Sequence, residues 1–406
     1  MINRIVEKIA YKKSNKDYSL NNILDYVTNN TEYYKNFSAT DLSSFPILTK
    51  DIIRNQFENL KSKDLNSRKW WINTSGGSTG EPVKFIQDKE YLLQSRYTTY
   101  QEKQKLGYKF GNNFIKLWGD EKEILNNSQS LKSKLINKIK NITFLNSFNM
   151  SQENMFTFVE NINKKQPKLI VAYAQAMYEL AKFVEENNLN IQNVGSIITS
   201  AGTLYPFMRE TIEKNFNTKV YNRYGSREVG NIACEEPDIA GLVITNDVYI
   251  EIVDENGNLC PNGIEGDIIV TSLINYAMPL IRYRIGDRGI LNRTKYDFPI
   301  LEKVSGRNVN MFKTRDNKLI DGEYFTHLIY NKFWIKKFQI IQKSFDLIEV
   351  KIVKDLDENK KDLLNIEDGI KKIMGKQCKI IFTFVNDIPP LKSGKYLYTI
   401  CELNEK

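Results

Sequence analysis

Between residues 150 and 225 apolar positions alternate between helical stripes and short unbroken runs. Segments 151–165 and 174–188 repeat apolar residues at helical spacing, and Leu169-Ile-Val-Ala-Tyr173 between them is an apolar run of strand length. Gly195-Ser-Ile-Ile-Thr-Ser200 predicts a second strand, 206–216 a helix, and Lys219-Val-Tyr-Asn-Arg-Tyr224 a third strand. Strands alternating with helices predict an α/β layer. From 242 to 290 the pattern is strand alone. Val248–Val253, a turn at Asn256-Gly257, Asp267–Thr271 and Leu280–Arg284 predict an antiparallel or barrel-like piece attached to the core. After Gly306, strands at 338–343 and 347–353, a helix near 357–374 and a strand at 378–385 predict a small α+β domain. Residues 1–72 read as short helices, one of them starting after Pro46 with Thr49 as its cap. Over 131–140, Leu131, Leu135, Ile136 and Ile139 share one face of a lysine-rich helix, better read as a packed helix with a solvated face than as a membrane-surface helix.

A chain of 406 residues is too long for one ordinary core, which predicts a large domain and a smaller partner. The formal charge of +9 is spread along the chain and not gathered into a basic run, which argues against nucleic acid as a partner. Cys234, Cys260, Cys378 and Cys401 lie 26, 118 and 23 residues apart, a spacing of neither a metal knuckle nor a disulfide framework, so reduced thiols and a cytoplasmic location are expected. The first ten residues interrupt apolar positions with charge, as an export signal does not, and no stretch approaches eighteen apolar residues, so a transmembrane protein is not expected. With His327 as the one histidine, a His-rich metal site is excluded and a catalytic triad would rest on that residue alone.

The chemistry is concentrated in a few short segments. In Asn73-Thr-Ser-Gly-Gly-Ser-Thr-Gly-Glu-Pro-Val-Lys-Phe85, three glycines let backbone N–H groups converge and four hydroxyls add donors, a composition suited to polyphosphate. No Lys-Ser or Lys-Thr follows the last glycine, and the glycine spacing is not a dinucleotide fingerprint. Taken alone, such a loop is equally a solvent turn. Pro82-Val-Lys-Phe-Ile predicts a strand after it. In Tyr221-Asn-Arg-Tyr-Gly-Ser-Arg-Glu-Val-Gly230, Tyr224 is placed to face a base and Glu228 offers the hard oxygen that Mg²⁺ prefers on a nucleotide phosphate; the alternative is a strand exit with a surface glutamate. In Tyr283-Arg-Ile-Gly-Asp287, the carboxylate after a strand suits ribose hydroxyls, or is a turn residue. Pro389-Pro-Leu-Lys-Ser-Gly-Lys395 sets a lysine on a glycine tip, a mobile catalytic charge or a solvated one.

In this order, from about residue 40 to 400, these pieces resemble the adenylate-forming (acyl/aryl-CoA ligase) superfamily, specifically its phenylacetate-CoA ligase-like branch and the capsular-polysaccharide-biosynthesis proteins within it. The resemblance implies a phosphate loop of Thr74, Ser75, Gly76, Gly77, Ser78, Thr79 and Gly80, and an adenine-flanking turn of Ser200, Ala201 and Gly202. It also implies an aromatic-Gly-x-x-Glu element in which Asn222, Arg223, Tyr224 and Gly225 bind nucleotide and Glu228 binds the metal. Asp287 and Arg307 would hold the ribose, Asn310 would mark the hinge, and Lys395 would be catalytic. The expected architecture is α/β: a large N-terminal domain, 1–305, of sheets and helices with a barrel-like β subdomain, binding ATP and the acid, and a small mobile α+β C-terminal lid, 306–406, carrying the lysine. The expected reaction activates a small-molecule carboxylic acid with ATP and Mg²⁺ as acyl-AMP, releases pyrophosphate, and transfers the acyl group to CoA or to a sugar-linked amine or hydroxyl; the resemblance leaves room for a homodimer. Two positions depart from the branch: Asn310 stands where the hinge carboxylate is expected, and Gly202 where an acidic residue often follows the Ser-Ala pair. The rival readings are a non-catalytic nucleotide-binding relative and a non-Walker phosphotransferase.

Overall fold

A computed structural model describes residues 16–74, 83–118, 137, 140–147, 150–307, 311–316, 319–329, 332, 334–354, 356–389 and 397–403. The chain divides into two compact units, Met1–Ile285 with Gly289–Val304, and Gly286–Arg288 with Ser305–Lys406.

The first unit begins with helices α1 (Leu20–Asn30) and α2 (Lys50–Asn55), the second capped by Thr49 accepting from the Ile52 N–H at 3.3 Å, as predicted. Strands β1 (Trp70–Thr74) and β2 (Lys84–Asp88) form an antiparallel hairpin with Thr74 opposite Lys84. Asp88 then caps the long helix α3 (Lys89–Lys105), its carboxylate accepting from the Tyr91 N–H at 2.8 Å. There follow β3 (Phe114–Trp118), β4 (Ile142–Asn146), α4 (Gln152–Lys165), β5 (Leu169–Tyr173), α5 (Ala174–Glu186), β6 (Ile197–Ser200), α6 (Pro206–Phe216) and β7 (Val220–Ser226). The remaining strands of this sheet are β8 (Gly230–Glu235), β9 (Leu242–Ile244), β10 (Val248–Val253), β11 (Glu265–Ser272), β12 (Tyr283–Asn292) and β13 (Ile300–Arg307).

All of them except β1 and β2 join one sheet in the order β10-β11-β12-β13-β9-β8-β7-β6-β5-β3-β4. The part from β7 to β4 is parallel, and the flank from β7 through β8 and β9 is antiparallel. The piece expected to be barrel-like is therefore the antiparallel flank of the same sheet, because β9 pairs with β8 on one side and β13 on the other. The strand expected over Leu280–Arg284 begins only at Tyr283, since Arg282 has φ +53°, a left-handed conformation that interrupts a strand. Helices α5 and α6 cover one face of the parallel part, with Met177, Leu180, Val184, Ile212 and Phe216 packed on Ala172, Ile197 and Val220. On the other face Tyr100 of α3 meets Tyr108, Phe114, Val171 and Ile198.

The second unit holds the short hairpin β14 (Met311–Lys313) and β15 (Leu319–Asp321), helix α7 (Gly322–Ile329), β16 (Ile335–Ser344), β17 (Leu347–Lys354), α8 (Lys360–Met374), β18 (Lys379–Phe384) and β19 (Thr399–Cys401). Its four-stranded sheet runs β18-β17-β16-β19, and Ile340, Ile348, Val350 and Ile352 are buried, as are Ile366 and Ile370 of α8. The four cysteines are free thiols. Among the described residues no helix is long and apolar enough to cross a membrane. Most of the lysine-rich stretch 131–140 lies outside the described residues.

Candidate functional site

Strands β5, β6 and β7 are parallel, and in open α/β sheets the carboxyl ends of such strands are where ligands bind. At that edge Tyr173, Ser200 and Arg223 lie side by side in register. The Ser200 hydroxyl donates to the Arg223 carbonyl at 3.0 Å, which ties the end of β6 to β7. The next residue, Ala201, has φ +62°, and this left-handed step turns the chain out of the sheet toward Gly202. A Cβ added at Gly202 would come no nearer than 3.9 Å to the Ala174 side chain, so space at this point does not itself demand glycine.

Beyond Arg223, β7 and β8 form a tight antiparallel pair with a register shift between Tyr224 and Gly225. Here glycine is required, since a Cβ on Gly225 would lie 2.5 Å from the Gly230 carbonyl oxygen. The Tyr224 ring is partly buried against an apolar cluster that contains Tyr91, Val229 and Ile232. The turn points Glu228 inward. It is 5% exposed, and its Oε1 accepts from the hydroxyl of the fully buried Tyr283 at 3.2 Å. The surface-glutamate alternative is thereby removed. Among the described residues no group of three or more His, Cys, Asp or Glu side chains is arranged to hold a metal by protein alone. One oriented carboxylate fits the way Mg²⁺ is usually held, by one or two carboxylates together with substrate phosphates. Glu228 therefore fits the expected ion as a single ligand.

Sequence reasoning placed Arg223 at the nucleotide and missed the partners behind this edge that hold its side chain. The Arg223 guanidinium turns under α3 and meets Glu102 at 3.7 Å, both side chains being buried. Asn231 of β8 donates to Glu102 at 3.1 Å and to the Thr99 hydroxyl at 2.8 Å. Burial pushes the Glu102 carboxyl up to about 7, against the pull of Arg223. Burial, with Arg223 and Lys116 nearby, pushes the Lys103 ammonium down to about 7, and its Nζ lies 4.5 Å from the centre of the Phe114 ring. Asp247 accepts from Gln94 at 3.1 Å and is raised by burial. The available signal was Asp88 as a cap followed by Lys, Glu, Leu, Gln and Arg, all good helix formers.

The Thr74 N–H bonds to the Asn73 side chain at 2.9 Å, and the rest of the expected phosphate loop, Ser75, Gly76, Gly77, Ser78, Thr79 and Gly80, lies outside the described residues. So do Asn310 and Lys395. The Asn222 N–H donates to Glu235 at 2.7 Å. Asp287 is half-buried within β12, just after Gly286 at φ +90°, and the Arg307 main chain ends β13. The main chain at His327 lies in α7. A cavity of about 440 Å³ lined by Asn112, Asn113, Lys168, Asn193 and Gly195 opens at the amino ends of β3, β5 and β6, opposite the edge that carries Ser200 and Tyr224.

Residues 312–402 match the CapK C-terminal domain family. Over 400 residues the chain is 26% identical to Protein CapK of Staphylococcus aureus, covering 93% of this chain and 86% of that one. It is 23% identical over 240 residues to the phenylacetate-coenzyme A ligase of Pseudomonas putida, covering 56% of this chain and 53% of the relative. Among solved structures, 2-hydroxyisobutyryl-CoA ligase in the postadenylation state with 2-HIB-AMP superposes with a TM-score of 0.72 at 16% identity, over 95% of this chain and 88% of that one. The amide bond synthetase McbA of Marinactinospora thermotolerans gives a TM-score of 0.56 at 14% identity, over 80% of this chain and 66% of its own. The chain is thus similar along most of its length to Protein CapK, over about half of it to phenylacetate-coenzyme A ligase, and in fold to 2-hydroxyisobutyryl-CoA ligase, as its motifs led one to expect.

Proposed function

We propose that the protein is an ATP-dependent, AMP-forming carboxylate ligase. The observation that carries this reading is the buried Glu228 beside Tyr224 at the carboxyl edge, on a fold whose solved relatives hold acyl-AMP. In this reading the loop Thr74–Gly80 wraps the phosphates, Ser200–Gly202 and Tyr224 flank the base, and Asp287 and Arg307 take the ribose. Glu228 supplies one oxygen to Mg²⁺, which when bound offsets phosphate charge. The substrate carboxylate attacks the α-phosphorus in line, pyrophosphate leaves, and Lys395 of the C-terminal part (306–406) offsets the charge that builds there. Positioning and electrostatics supply the catalysis, and no protein nucleophile is needed.

Similarity to CapK along most of the chain, with Gly202 and Asn310, favours a sugar-linked amine or hydroxyl as acceptor; similarity to phenylacetate-coenzyme A ligase supports CoA as the alternative. Pyrophosphate exchange with a panel of carboxylic acids tests the first half-reaction. AMP and pyrophosphate support the ligase, ADP a phosphotransferase, and intact ATP a binding protein. Lys395→Ala is expected to bind ATP normally and lose about 10²- to 10³-fold in exchange rate, the usual cost of one well-placed charge contact. Exchange at the wild-type rate would remove Lys395 from the mechanism.

A further inference from the structure

Three consecutive residues of β2 are each held by a distant part of the chain. The Ile86 carbonyl accepts from Asn275 Nδ2 at 2.8 Å, and Asp88 accepts from Arg68 at 2.9 Å while it caps α3. Gln87, 4% exposed, uses its amide in two directions. Its Oε1 accepts from Asn73 Nδ2 at 3.2 Å, and its Nε2 donates to the Arg227 carbonyl at 2.9 Å. Asn73 sits in β1 immediately before Thr74, and Arg227 sits immediately before Glu228. One buried amide therefore joins the hairpin that carries Thr74 to the turn that carries the inward carboxylate.

An apolar side chain would fill this volume but leave the Asn73 amide and the Arg227 carbonyl without their shared partner, so the glutamine fixes a direction and a distance as well as filling space. Mg²⁺ keeps near-ideal octahedral geometry at about 2.0–2.1 Å, and a carboxylate that drifts relative to the phosphates loses the ion. We propose that Gln87 is a positioning residue that sets the β1–β2 hairpin against Glu228, so that a nucleotide's phosphates and the cation they carry are met in one geometry. This rests on the ATP and Mg²⁺ reading of the site.

The test is calorimetric titration of the full-length protein with ATP, once with Mg²⁺ and once with EDTA. In Gln87→Ala the affinity gained from Mg²⁺ falls roughly tenfold, the effect of losing one good hydrogen bond, while affinity in EDTA changes less than about threefold. Gln87→Glu, which keeps an acceptor for Asn73 and repels the Arg227 carbonyl, behaves the same way. Asn275→Ser, taken from the neighbouring clamp, lowers Tm and keeps the whole Mg²⁺-dependent gain. If Gln87→Ala does not fold, Gln87→Glu and Asn73→Ala decide the matter by the same titration. A folded Gln87 variant with the full gain, or equal loss in Asn275→Ser, overturns the positioning role and leaves the ligase reading standing. Wild-type protein that gains nothing from Mg²⁺ overturns the metal assignment of Glu228 and this proposal together.

Discussion

Under α5 and α6 the parallel strands meet Met177, Leu180, Val184, Ile212 and Phe216, all buried and apolar, whereas under α3 Arg223 of β7 meets Glu102, and Lys103 lies over Phe114 of β3. The first face needs only volume and shape, which many residues supply. The second needs partners, because a buried charge without one is costly. The face that needs partners lies under the strand that leads to Tyr224 and Glu228. Polar anchoring fixes direction as well as depth, and this edge has to present a carboxylate at a set angle.

The sharpest way to break the contrast is to remove one partner on each face. Arg223→Met strands Glu102 in the interior and is expected to cost roughly 4 kcal/mol, within the range for breaking a buried pair. Leu180→Ala, on the apolar face, is expected to cost about 3 kcal/mol through lost burial and a residual cavity. Urea unfolding measures both. If Arg223→Met costs under about 1 kcal/mol, as an exposed pair would, the charges under α3 are solvated and the contrast fails.

The double variant Arg223→Met, Glu102→Leu sharpens the comparison by turning the polar face into a second apolar one. It is expected to recover most of the loss of Arg223→Met, since apolar replacement of a whole buried pair is often neutral. Its exchange activity should remain low, because stability returns while the anchoring of β7 does not. Recovery of both would mean that the pair serves stability alone.

A further contrast is in pH dependence. The Glu102 carboxyl is raised from its ordinary 4.5 to about 7, so the folded state holds an extra proton in that window and stability falls as pH rises through it. The Lys103 ammonium is lowered from 10.5 to about 7, so its contribution is lost as pH falls through 7 and regained as pH rises toward 10.5. Together they place a stability minimum near neutrality. Glu102→Gln should remove the descending limb and keep the rising one, as read by Tm across pH. An unchanged profile would mean that Glu102 is ionised throughout.

The apolar face was the legible one. Leu169–Tyr173 and the helix Pro206–Phe216 have the boundaries that their periodicity predicts, because each buries a face of regular spacing. Helix α3 escaped notice because its buried positions are Tyr91, Gln94, Thr98, Tyr100 and Glu102, a largely polar set that a hydrophobicity pattern does not register. Asp88 as its cap was the local signal that could have revealed it, whereas the link from Asp88 to Arg68 has no local signal. The Tyr224 to Glu228 element was readable as candidate chemistry, while the choice between an inward and a surface-facing glutamate was not.

That choice depended on Tyr283, 55 residues away from Glu228, and the link from the hairpin to the same turn depended on Gln87 reaching Arg227 across 140 residues. By itself the sequence determined the local elements, the order of the motifs and the resemblance they carry, because propensity, spacing and turn chemistry are local properties. Only the tertiary structure decided that the antiparallel strands continue one sheet, that Glu228 points inward, and that Arg223 turns under α3 toward Glu102. Those outcomes follow from strand order and register, which bring distant polar groups within hydrogen-bonding reach.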